Sequence, residues 1–365
     1  MQRVVVTAFN PADPTSTLKC EQAPVPKCGA GEVLVRVTAR PVNPADVFSI
    51  MVRARSRAAS AAQPRTTWLL RGSCVAHWLS NCRRCQGVYP GFQPPALPAV
   101  PGLEGAGVVE DSNGTELKAG TRGVCLFDTR NGNGSWQEYV ALPASNFIPV
   151  PDSVTDESAA QFLVNPVTVV GMLEELAAPS GEYILQSAAG STLGRQLITV
   201  AKKRGLKTIN LVRRAEQAAE LKAIGADEVI CTETEDIVAR VKEITGGKGA
   251  WGAVDAVAGP LTQRISGSVR DGGSVLIYGG MGGLEFTGSV VDVLFRSVAV
   301  KGFWLNIYLG KLSAERKGAV FSEVVGWLAD GSLVPNSGQR FPLSDVVAAV
   351  QASQATARGG KVLLM

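Results

Sequence analysis

The chain has 365 residues, of which 45% are hydrophobic and 19% charged, with a formal net charge of +4 and 40 glycines. This length exceeds what one hydrophobic core usually holds, so two domains are expected. No apolar run reaches the roughly 20 residues needed to cross a bilayer, and the seven cysteines are too scattered for a secreted disulfide framework. These totals exclude a membrane-spanning or disulfide-stapled protein and favour a soluble intracellular one.

The N-terminal stretch MQRVVVTAF predicts a first β-strand, and it has the features of neither a transit peptide nor a signal peptide. Further along, Asn43 precedes Pro44, and a proline biases the residue before it towards an extended conformation. An amide fixed in this way suits contact with a ribose or a nicotinamide. A turn-forming asparagine is an equally good interpretation.

Residues 52–86 differ in character from the sequence around them. They contain seven arginines, no lysine and no acidic residue, so the rest of the chain has a net charge of 4 − 7 = −3. Without this segment there is no basic excess, and no nucleic-acid partner is predicted. The segment shows neither strand alternation nor a helical stripe. We interpret it as an insertion of 35 residues, either an extension loop or translated intron sequence.

The insertion contains Cys74, His77, Cys82 and Cys85, and His77 is the only histidine of the chain. A structural zinc site needs four ligands on a tight scaffold, and this order matches no recognised zinc motif. Incidental thiols are the favoured interpretation, with structural zinc as the alternative. A catalytic zinc is not expected, because the rest of the chain offers no histidine. No metal site is therefore predicted.

From about residue 151 the chain alternates apolar strands with helical stretches, which is typical of a parallel sheet. Residues 183–187 predict a buried strand, 193–204 a helix and 208–212 a second strand. Between the first strand and the helix, the small residues of AAGSTLG (188–194) allow a pyrophosphate to approach the backbone N–H groups at the helix N-terminus. Because the turn is not a strict G-x-G-x-x-G, a plain strand-to-helix turn is the alternative. The candidate pyrophosphate contacts are Ala189, Gly190, Ser191, Thr192, Leu193 and Gly194.

The end of the second strand indicates which dinucleotide is bound. An acidic residue there would hold the ribose hydroxyls of NAD, but the chain has Arg213 and Arg214. A guanidinium suits a 2′-phosphate, because its planar fork makes two charge-assisted hydrogen bonds. NADPH is therefore predicted as the cofactor. Two solvated arginines at a strand end are the alternative.

Three more strands follow in DEVICTE, GAVDAVAG and SVLIYGGMGG, each ending in polar or small residues. In the last of these, Gly279, Gly280, Gly282 and Gly283 leave room for a flat ring or a close backbone, and ordinary turn glycines are the alternative. Asn165, before Pro166, and Thr168, one turn further on, are further candidate cofactor contacts. A turn-forming asparagine and a threonine bonded back to its own helix are the alternatives.

Several stretches together resemble the zinc-free medium-chain dehydrogenase/reductase superfamily. They are PVNPADV (41–47), PGLEGAGVV (101–109), GSWQEYVALPASNFIPVPD (134–152), AAGSTLG (188–194) and GGKVLL (359–364). In zinc-containing members a histidine precedes the glutamate of the G-x-E motif, whereas Leu103 precedes Glu104 here. The resemblance implies an α/β fold. Its parts are a GroES-like partly open β-barrel at 1–150, a Rossmann doubly wound parallel sheet at 151–300, and a return segment at 301–365 that completes the first domain.

Within the superfamily the chain looks most like the enoyl thioester reductases of fatty-acid synthesis, with NADPH:quinone reductases as the second resemblance. The stretches that carry it are FLVNPVTVVGML (162–173), KTINLVRR (207–214), YGGMGG (278–283) and KGFWL (301–305). The resemblance implies that Tyr89 in GVYPGF is the catalytic proton donor, although a loop tyrosine at the pocket rim is the alternative. It also implies that the cofactor and acyl site is lined by Tyr278, Met281, Phe303, Trp304 and Lys361. For Trp304, an aromatic residue at a strand end that packs in the core is the alternative. Trp136 is assigned to packing.

These resemblances predict reduction of the C2=C3 double bond of a trans-2-enoyl-CoA or enoyl-acyl carrier protein, with hydride to the β-carbon and a proton to the α-carbon. The alternative is reduction of a quinone or reactive enone, and a third is an NADPH-binding protein without catalysis. Lys301, Lys311, Arg316 and Lys317 are candidate contacts for the phosphates of the substrate carrier, or simply solvated cations. The resemblance implies a homodimer formed through the strand near 297–305, and it allows a mitochondrial as well as a cytoplasmic location.

Overall fold

The computed structural model describes residues 1–10, 12–51, 92, 94–355 and 359–365. The described chain forms two compact units, one of residues 1–162 with 336–365 and the other of residues 163–335. In the described part of the chain, no helix is both long and apolar enough to cross a membrane.

The first unit is mainly antiparallel β-structure. Its strands are β1 (Gln2–Val6), β2 (Leu18–Gln22), β3 (Glu32–Pro41), β4 (Glu104–Asp111), β5 (Arg122–Leu126), β6 (Tyr139–Pro143), β7 (Phe147–Pro149), β14 (Ser337–Phe341) and β15 (Lys361–Leu364). Its helices are α1 (Pro44–Met51), α2 (Asp156–Ala160) and α11 (Val346–Gln354). Seven strands form one sheet in the order β14-β15-β3-β4-β5-β7, with β6 also paired to β3, and β1 and β2 form a hairpin. This is the predicted GroES-like β-domain.

Burial of alternate side chains explains this sheet. Along β3, Val33, Val35 and Val37 are buried while Arg36 between them is exposed. These valines pack with Val109 of β4 and neighbouring strands in one core. A period of two is what a half-buried antiparallel strand requires. Trp136 is fully buried in a second core of this unit, which confirms its assignment to packing.

The second unit is an α/β structure. Its strands are β8 (Tyr183–Gln186), β9 (Lys207–Val212), β10 (Glu228–Cys231), β11 (Ala250–Asp255), β12 (Val269–Ile277) and β13 (Ala299–Gly302). Its helices are α3 (Thr168–Leu176), α4 (Thr192–Lys203), α5 (Gln217–Ala223), α6 (Ile237–Ile244), α7 (Leu261–Ser266), α8 (Val290–Leu294), α9 (Leu305–Lys311) and α10 (Ala314–Ala329). A π-helix, Leu163–Val167, precedes α3.

All six strands of the second unit are parallel, in the order β10-β9-β8-β11-β12-β13. Their near-continuous apolar runs match a sheet that is buried on both faces. Helix α4 begins where Ser191 accepts a hydrogen bond from the N–H of Gly194 at 3.0 Å, and it buries Leu197, Ile198 and Val200. The predicted Rossmann-type parallel sheet is confirmed.

Residues 301–335 lie in the second unit, although the sequence predicted them in the return segment of the first. The reason is strand pairing: β13 adds to β12 at the edge of the parallel sheet. The helices that follow it then remain with the same unit, since α9 contacts α3 and α10 contacts the π-helix. The return to the first unit begins at Asn336.

Candidate active site

The turn between β8 and α4 has the geometry expected of a pyrophosphate site. Ala188 has a left-handed backbone with φ of 50°, and Ser191 caps the helix. A Cβ on Gly194 would lie 2.7 Å from the carbonyl oxygen of Ala188, so only glycine lets the helix pack this closely on the turn. The first helical residues, Thr192 and Leu193, present backbone N–H groups at the helix N-terminus.

Two further side chains lie over this turn, and sequence reasoning missed both. A Cβ on Gly190 would lie 2.3 Å from Nε2 of Gln217, so the amide of Gln217 covers the glycine. Arg195 donates from Nε to the carbonyl oxygen of Gly190 at 3.3 Å and also pairs with Glu220. The amphipathic pattern of α4 gave no sign that Arg195 supports the turn.

Arg213 and Arg214 follow β9 directly and are exposed. Among the described residues, neither guanidinium has a carboxylate or hydrogen-bond partner. The backbone at Arg213 is nevertheless fixed, since the thiol of Cys231 donates to its carbonyl oxygen at 3.2 Å. Two positively charged, unpaired guanidinium groups therefore lie beside the end of β9, as a 2′-phosphate site requires.

The loop after β12 is held tightly against the loop after β11. The N–H groups of Tyr278, Met281 and Gly282 donate to the carbonyl oxygens of Asp255, Ala256 and Val257 at 2.9, 3.1 and 2.7 Å. A Cβ on Gly279 would lie 2.7 Å from the Ala256 oxygen, so this contact needs glycine. The hydroxyl of Tyr278 is buried without a hydrogen-bond partner in the described structure. Burial raises the pKa of Tyr278, with the negative charge of Asp255 adding to the effect.

Asn165 and Thr168 lie at the junction of the π-helix and α3, and both are buried. Neither side chain has a hydrogen bond to another described residue. The alternative of a threonine bonded back to its own helix is therefore not what the structure shows. π-helical turns are frequent at functional sites, because the widened turn redirects side chains.

Phe303 and Trp304 lie just after β13 and line a cavity of about 210 Å³ with Gly302, Ile307, Tyr308, Glu175 and Lys311. The rings of Phe303 and Tyr308 have centroids 5.8 Å apart. Tyr308 donates from its hydroxyl to Glu174 at 2.7 Å. Burial raises the pKa of Tyr308, and the hydrogen bond to Glu174 reinforces this. The side chains that line the cavity are thus mainly apolar, and Glu175 and Lys311 are the two charged ones.

Two of the four cations proposed to contact a carrier phosphate are paired with acids of α3. Lys301 lies 3.0 Å from Glu175, and Arg316 pairs with Glu174. Lys311 lines the cavity described above. Lysine and arginine side chains in such ion pairs are less available to a phosphate than unpaired ones.

In the first unit, Asn43 and Lys361 belong to one buried polar cluster, which also contains Asp46 and Glu104. Lys361 Nζ donates to Asn43 Oδ1 at 2.6 Å, and Asn43 Nδ2 donates to Glu104 Oε1 at 2.9 Å. The carboxylate of Asp46 accepts from the N–H groups of Asn43 and Leu103 at 2.8 and 2.9 Å. The structure shows these side chains buried and bonded to each other. Their predicted contact with a cofactor stays a prediction.

Burial makes the carboxyl group of Asp46 in this cluster a weaker acid than usual. Burial, assisted by the nearby charge of Glu104, raises the pKa of Asp46 from 3.8 to about 7, although two backbone N–H groups and Lys361 act in the opposite direction. The cluster does not suit a metal ion. The oxygens of Asn43 and Asp46 already accept hydrogen bonds. The ammonium group of Lys361 also lies in the cluster and would repel a metal cation. Within the described ranges, no three His, Cys, Asp or Glu side chains form a group able to hold a metal.

Two sequence predictions concern residues outside the described part of the chain. The proposed proton donor Tyr89 is one, and the group of Cys74, His77, Cys82 and Cys85 is the other. Both remain predictions.

Comparisons with known proteins agree with this architecture. Residues 29–152 match the family described as alcohol dehydrogenase GroES-like domain, and residues 192–316 match the family described as zinc-binding dehydrogenase. The second name implies zinc, which the buried cluster of the first unit does not accommodate.

Curated relatives include the mitochondrial enoyl-[acyl-carrier-protein] reductases of Caenorhabditis elegans and Arabidopsis thaliana. The first is 30% identical over 84% of this chain and 78% of the relative, and the second is 34% identical over 70% and 68%. Among solved structures, the quinone oxidoreductase of Pseudomonas syringae pv. tomato is 26% identical, with a TM-score of 0.78 over 100% of this chain and 99% of that one.

A parallel sheet with a glycine turn at a helix N-terminus, in a chain that also has a GroES-like β-unit, defines a dehydrogenase type of fold. The chain belongs to the medium-chain dehydrogenase/reductase superfamily, and it is an oxidoreductase. Both resemblances inferred from its sequence are confirmed.

Proposed function

We propose that this protein reduces the C2=C3 double bond of trans-2-enoyl thioesters with NADPH and without zinc. The observation that carries the proposal is its similarity to two enoyl-[acyl-carrier-protein] reductases across more than two thirds of their length. The unpaired Arg213 and Arg214 support NADPH. The apolar cavity beside Phe303 and Trp304 supports an acyl substrate.

The chain's own residues then have distinct tasks. The backbone N–H groups at the start of α4 bind the pyrophosphate, and Arg213 and Arg214 bind the 2′-phosphate. The loop at 278–281, with Asn165 and Thr168, orients the nicotinamide end. When bound, NADPH supplies the hydride for the β-carbon. Tyr89 holds the proton that the α-carbon takes up, since a phenol with a pKa of about 10 is protonated at neutral pH.

The first test measures NADPH oxidation by the purified full chain with a trans-2-enoyl-CoA and with a simple quinone. We expect faster turnover of the enoyl-CoA. Tyr89→Phe is expected to lower kcat by about 100-fold or more, the range of general acid catalysis, while NADPH binding is kept. Tyr139→Phe, a strand tyrosine of the first unit, is the matched control. Unchanged turnover in Tyr89→Phe would remove the proton-donor role.

A second candidate is reduction of quinones, favoured by the structural likeness to the Pseudomonas syringae quinone oxidoreductase. The same assay separates the two. Turnover of the quinone alone would establish this candidate, and Tyr89 would then need no role as an acid. Tight NADPH binding without turnover of either substrate, with one zinc per chain by metal analysis, would favour the third, non-catalytic interpretation.

The acyl carrier of the substrate is either coenzyme A or acyl carrier protein. Lys311, at the apolar cavity, is our candidate for a contact with its phosphate. Comparing KM for the two carriers in Lys311→Gln tests this, and Arg130→Gln, an exposed cation of the first unit, is the control. An unchanged KM for both carriers would contradict it.

We also propose a homodimer formed through β13. This strand is the edge of the parallel sheet, and Lys301 and Gly302 on it are exposed. Nearby in sequence, Val290, Leu294 and Phe295 expose 75, 64 and 76% of their surface. An exposed edge strand with a neighbouring apolar patch is a template for pairing with a second copy.

The relatives' names place those proteins in mitochondria. By that likeness we propose a mitochondrial location for this protein. Fractionation of cells that express the chain with a C-terminal tag tests the proposal, with a cytosolic marker alongside. Recovery with the cytosolic marker would contradict it.

A further inference from the structure

The carboxylate of Asp255 connects the two loops assigned to cofactor binding in the second unit. Asp255 is the last residue of β11, and its side chain is completely buried. No lysine or arginine of the described chain pairs with it. Its charge is instead stabilised by four hydrogen bonds from neutral donors. Hydrogen bonds to a charged acceptor are stronger than bonds between neutral groups, so these bonds hold both the buried carboxylate and its donors in place.

Three of the four bonds go to Oδ1. The hydroxyl of Ser187 donates at 2.7 Å, and the N–H groups of Val257 and Ala258 donate at 2.8 and 3.2 Å. The fourth bond, from the hydroxyl of Thr262 to Oδ2 at 2.8 Å, comes from helix α7. Ser187 in turn accepts from the N–H of Ala256 at 2.9 Å. The carboxylate therefore fixes the whole turn at 256–258.

The partners of Asp255 lie on both sides of it in the sheet. On one side, Ser187 immediately precedes the turn at 188–194, which is assigned to the pyrophosphate. On the other side, the turn at 256–258 presents the carbonyl oxygens that hold the loop at 278–282. Because β8, β11 and β12 are neighbours in the sheet, a single carboxylate reaches both loops.

The turn at 256–258 needs this support. Ala258 has a φ of 61°, in the left-handed region that a residue with a side chain adopts only at an energetic cost. The two N–H bonds to Asp255 hold the backbone in that conformation. Without them, the carbonyl oxygens of Ala256 and Val257 are free to rotate away from the 278–282 loop.

We propose that Asp255 is a positioning residue, which sets the 278–282 loop relative to the pyrophosphate turn so that both halves of the dinucleotide are bound at once. The inference rests on the proposed NADPH site. It requires no contact between Asp255 and the cofactor.

The test compares binding of NADPH with binding of 2′-phospho-ADP-ribose, a fragment that lacks the nicotinamide, by calorimetry on the full chain. Asp255→Asn is expected to weaken NADPH binding by about 10- to 100-fold, since the three bonds at Oδ1 then go to a neutral amide oxygen, and hydrogen bonds to a charged acceptor are about twice as strong as neutral ones. The fragment should lose no more than about 3-fold, because the N-terminus of α4 and the two arginines remain.

Thr262→Val is the matched control. It removes a bond to the same carboxylate on the side that touches neither loop, so it should leave the ratio of the two affinities unchanged. Ser187→Ala should change the ratio in the same direction as Asp255→Asn. If Asp255→Asn does not fold, Ser187→Ala decides the question alone.

The outcomes separate this inference from the proposed function. If the wild-type chain binds neither ligand, the NADPH site itself is wrong. If the wild type binds both, and Asp255→Asn or Ser187→Ala weakens both equally, the positioning role is wrong while the site stands. A change in the ratio confined to Asp255→Asn and Ser187→Ala supports it.

Discussion

In the buried cluster of the first unit, the surroundings of a single side chain, Asp46, determine its protonation state. Asp46 and Glu104 are two acids, and Lys361 is the cation that contacts them through Asn43. With both acids ionised, the cluster would carry an excess negative charge away from water, which is costly. Holding a proton on Asp46 removes that excess, as its pKa of about 7 indicates.

This predicts a pH dependence of stability. Between about pH 4 and 7 the folded chain keeps a proton on Asp46 that the unfolded chain releases, so the free energy of unfolding falls as pH rises through that window. The contribution is fully present below about pH 4 and lost above about pH 7. Its slope is on the order of 1 kcal/mol per pH unit.

Urea unfolding at pH 5, 6, 7 and 8 measures this slope. Asp46→Asn should flatten it, because an amide does not titrate, while lowering stability at pH 5 by about 1–3 kcal/mol through the loss of one acceptor. Glu116→Gln, at an exposed position of the same unit, is the control. Equal slopes for the wild type and Asp46→Asn would contradict the assignment.

The two arginines after β9 give a second prediction at this scale. Arg213→Gln with Arg214→Gln should weaken NADPH binding by about 10- to 100-fold, because charge-assisted hydrogen bonds are lost, and leave NADH binding nearly unchanged. Fluorescence titration with both cofactors measures it. Arg130→Gln serves as the control, and an equal loss for NADH would indicate that the arginines do not meet the 2′-phosphate.

At the scale of the elements, helices α4 and α10 each contain a glycine, but only the glycine of α4 is closely surrounded by other backbone atoms. A Cβ on Gly194 of α4 would meet the backbone of Ala188 and Ala189 at 2.7 Å, whereas one on Gly318 of α10 would have nothing within 4 Å. The first glycine permits close packing, and the second only weakens its helix. The same substitution should therefore change stability in opposite directions.

Gly194→Ala is expected to lower the free energy of unfolding by about 1–3 kcal/mol, because backbone atoms must move. Gly318→Ala should raise it by up to about 1 kcal/mol through helix propensity. Urea denaturation of both variants measures the pair. Equal effects of the two substitutions would mean that the close approach at Gly194 is not needed.

Secondary structure here was largely predictable, because it depends on local pattern. The predicted strand at 183–187 and helix at 193–204 appear as β8 and α4 with their ends shifted by one residue. Contacts distant in sequence were not predictable. Asn43 meets Glu104 and Lys361 across 61 and 318 positions, and no local signal indicated it. Likewise, the unit to which β13 belongs depends on its pairing with β12.

At the scale of the whole molecule, the composition of residues 52–86 differs from that of the sequence around them, which is why we interpret them as an insertion. On that interpretation, a chain without residues 52–86 should keep both units, with a melting temperature like that of the full chain and preserved or higher turnover. Deletion of 359–365, which removes β15 from the sheet, is the control expected to unfold the first unit. Lost turnover with NADPH binding intact would show that 52–86 contribute to the site.

The proposed dimer gives the last prediction. Leu294→Asp with Phe295→Asp places charges on a surface that is already exposed in the single chain, so folding should be little affected. A second copy could no longer bury this surface. Light scattering after size exclusion should show the mass fall by half. A wild-type chain that is already monomeric at micromolar concentration would overturn the proposal.

The arrangement of β15 has a consequence for biosynthesis. This strand pairs with both β3 and β14 in the first unit, yet it follows the whole second unit in the chain. A ribosome therefore translates residues 163–335 before it reaches the residues that complete the first sheet. The parallel sheet is free to form during translation, while the end of β3 at Arg40 and Pro41 stays unpaired on the side that β15 later joins. We expect a nascent chain at that stage to present unpaired backbone groups at this end of the sheet, which favours binding by chaperones.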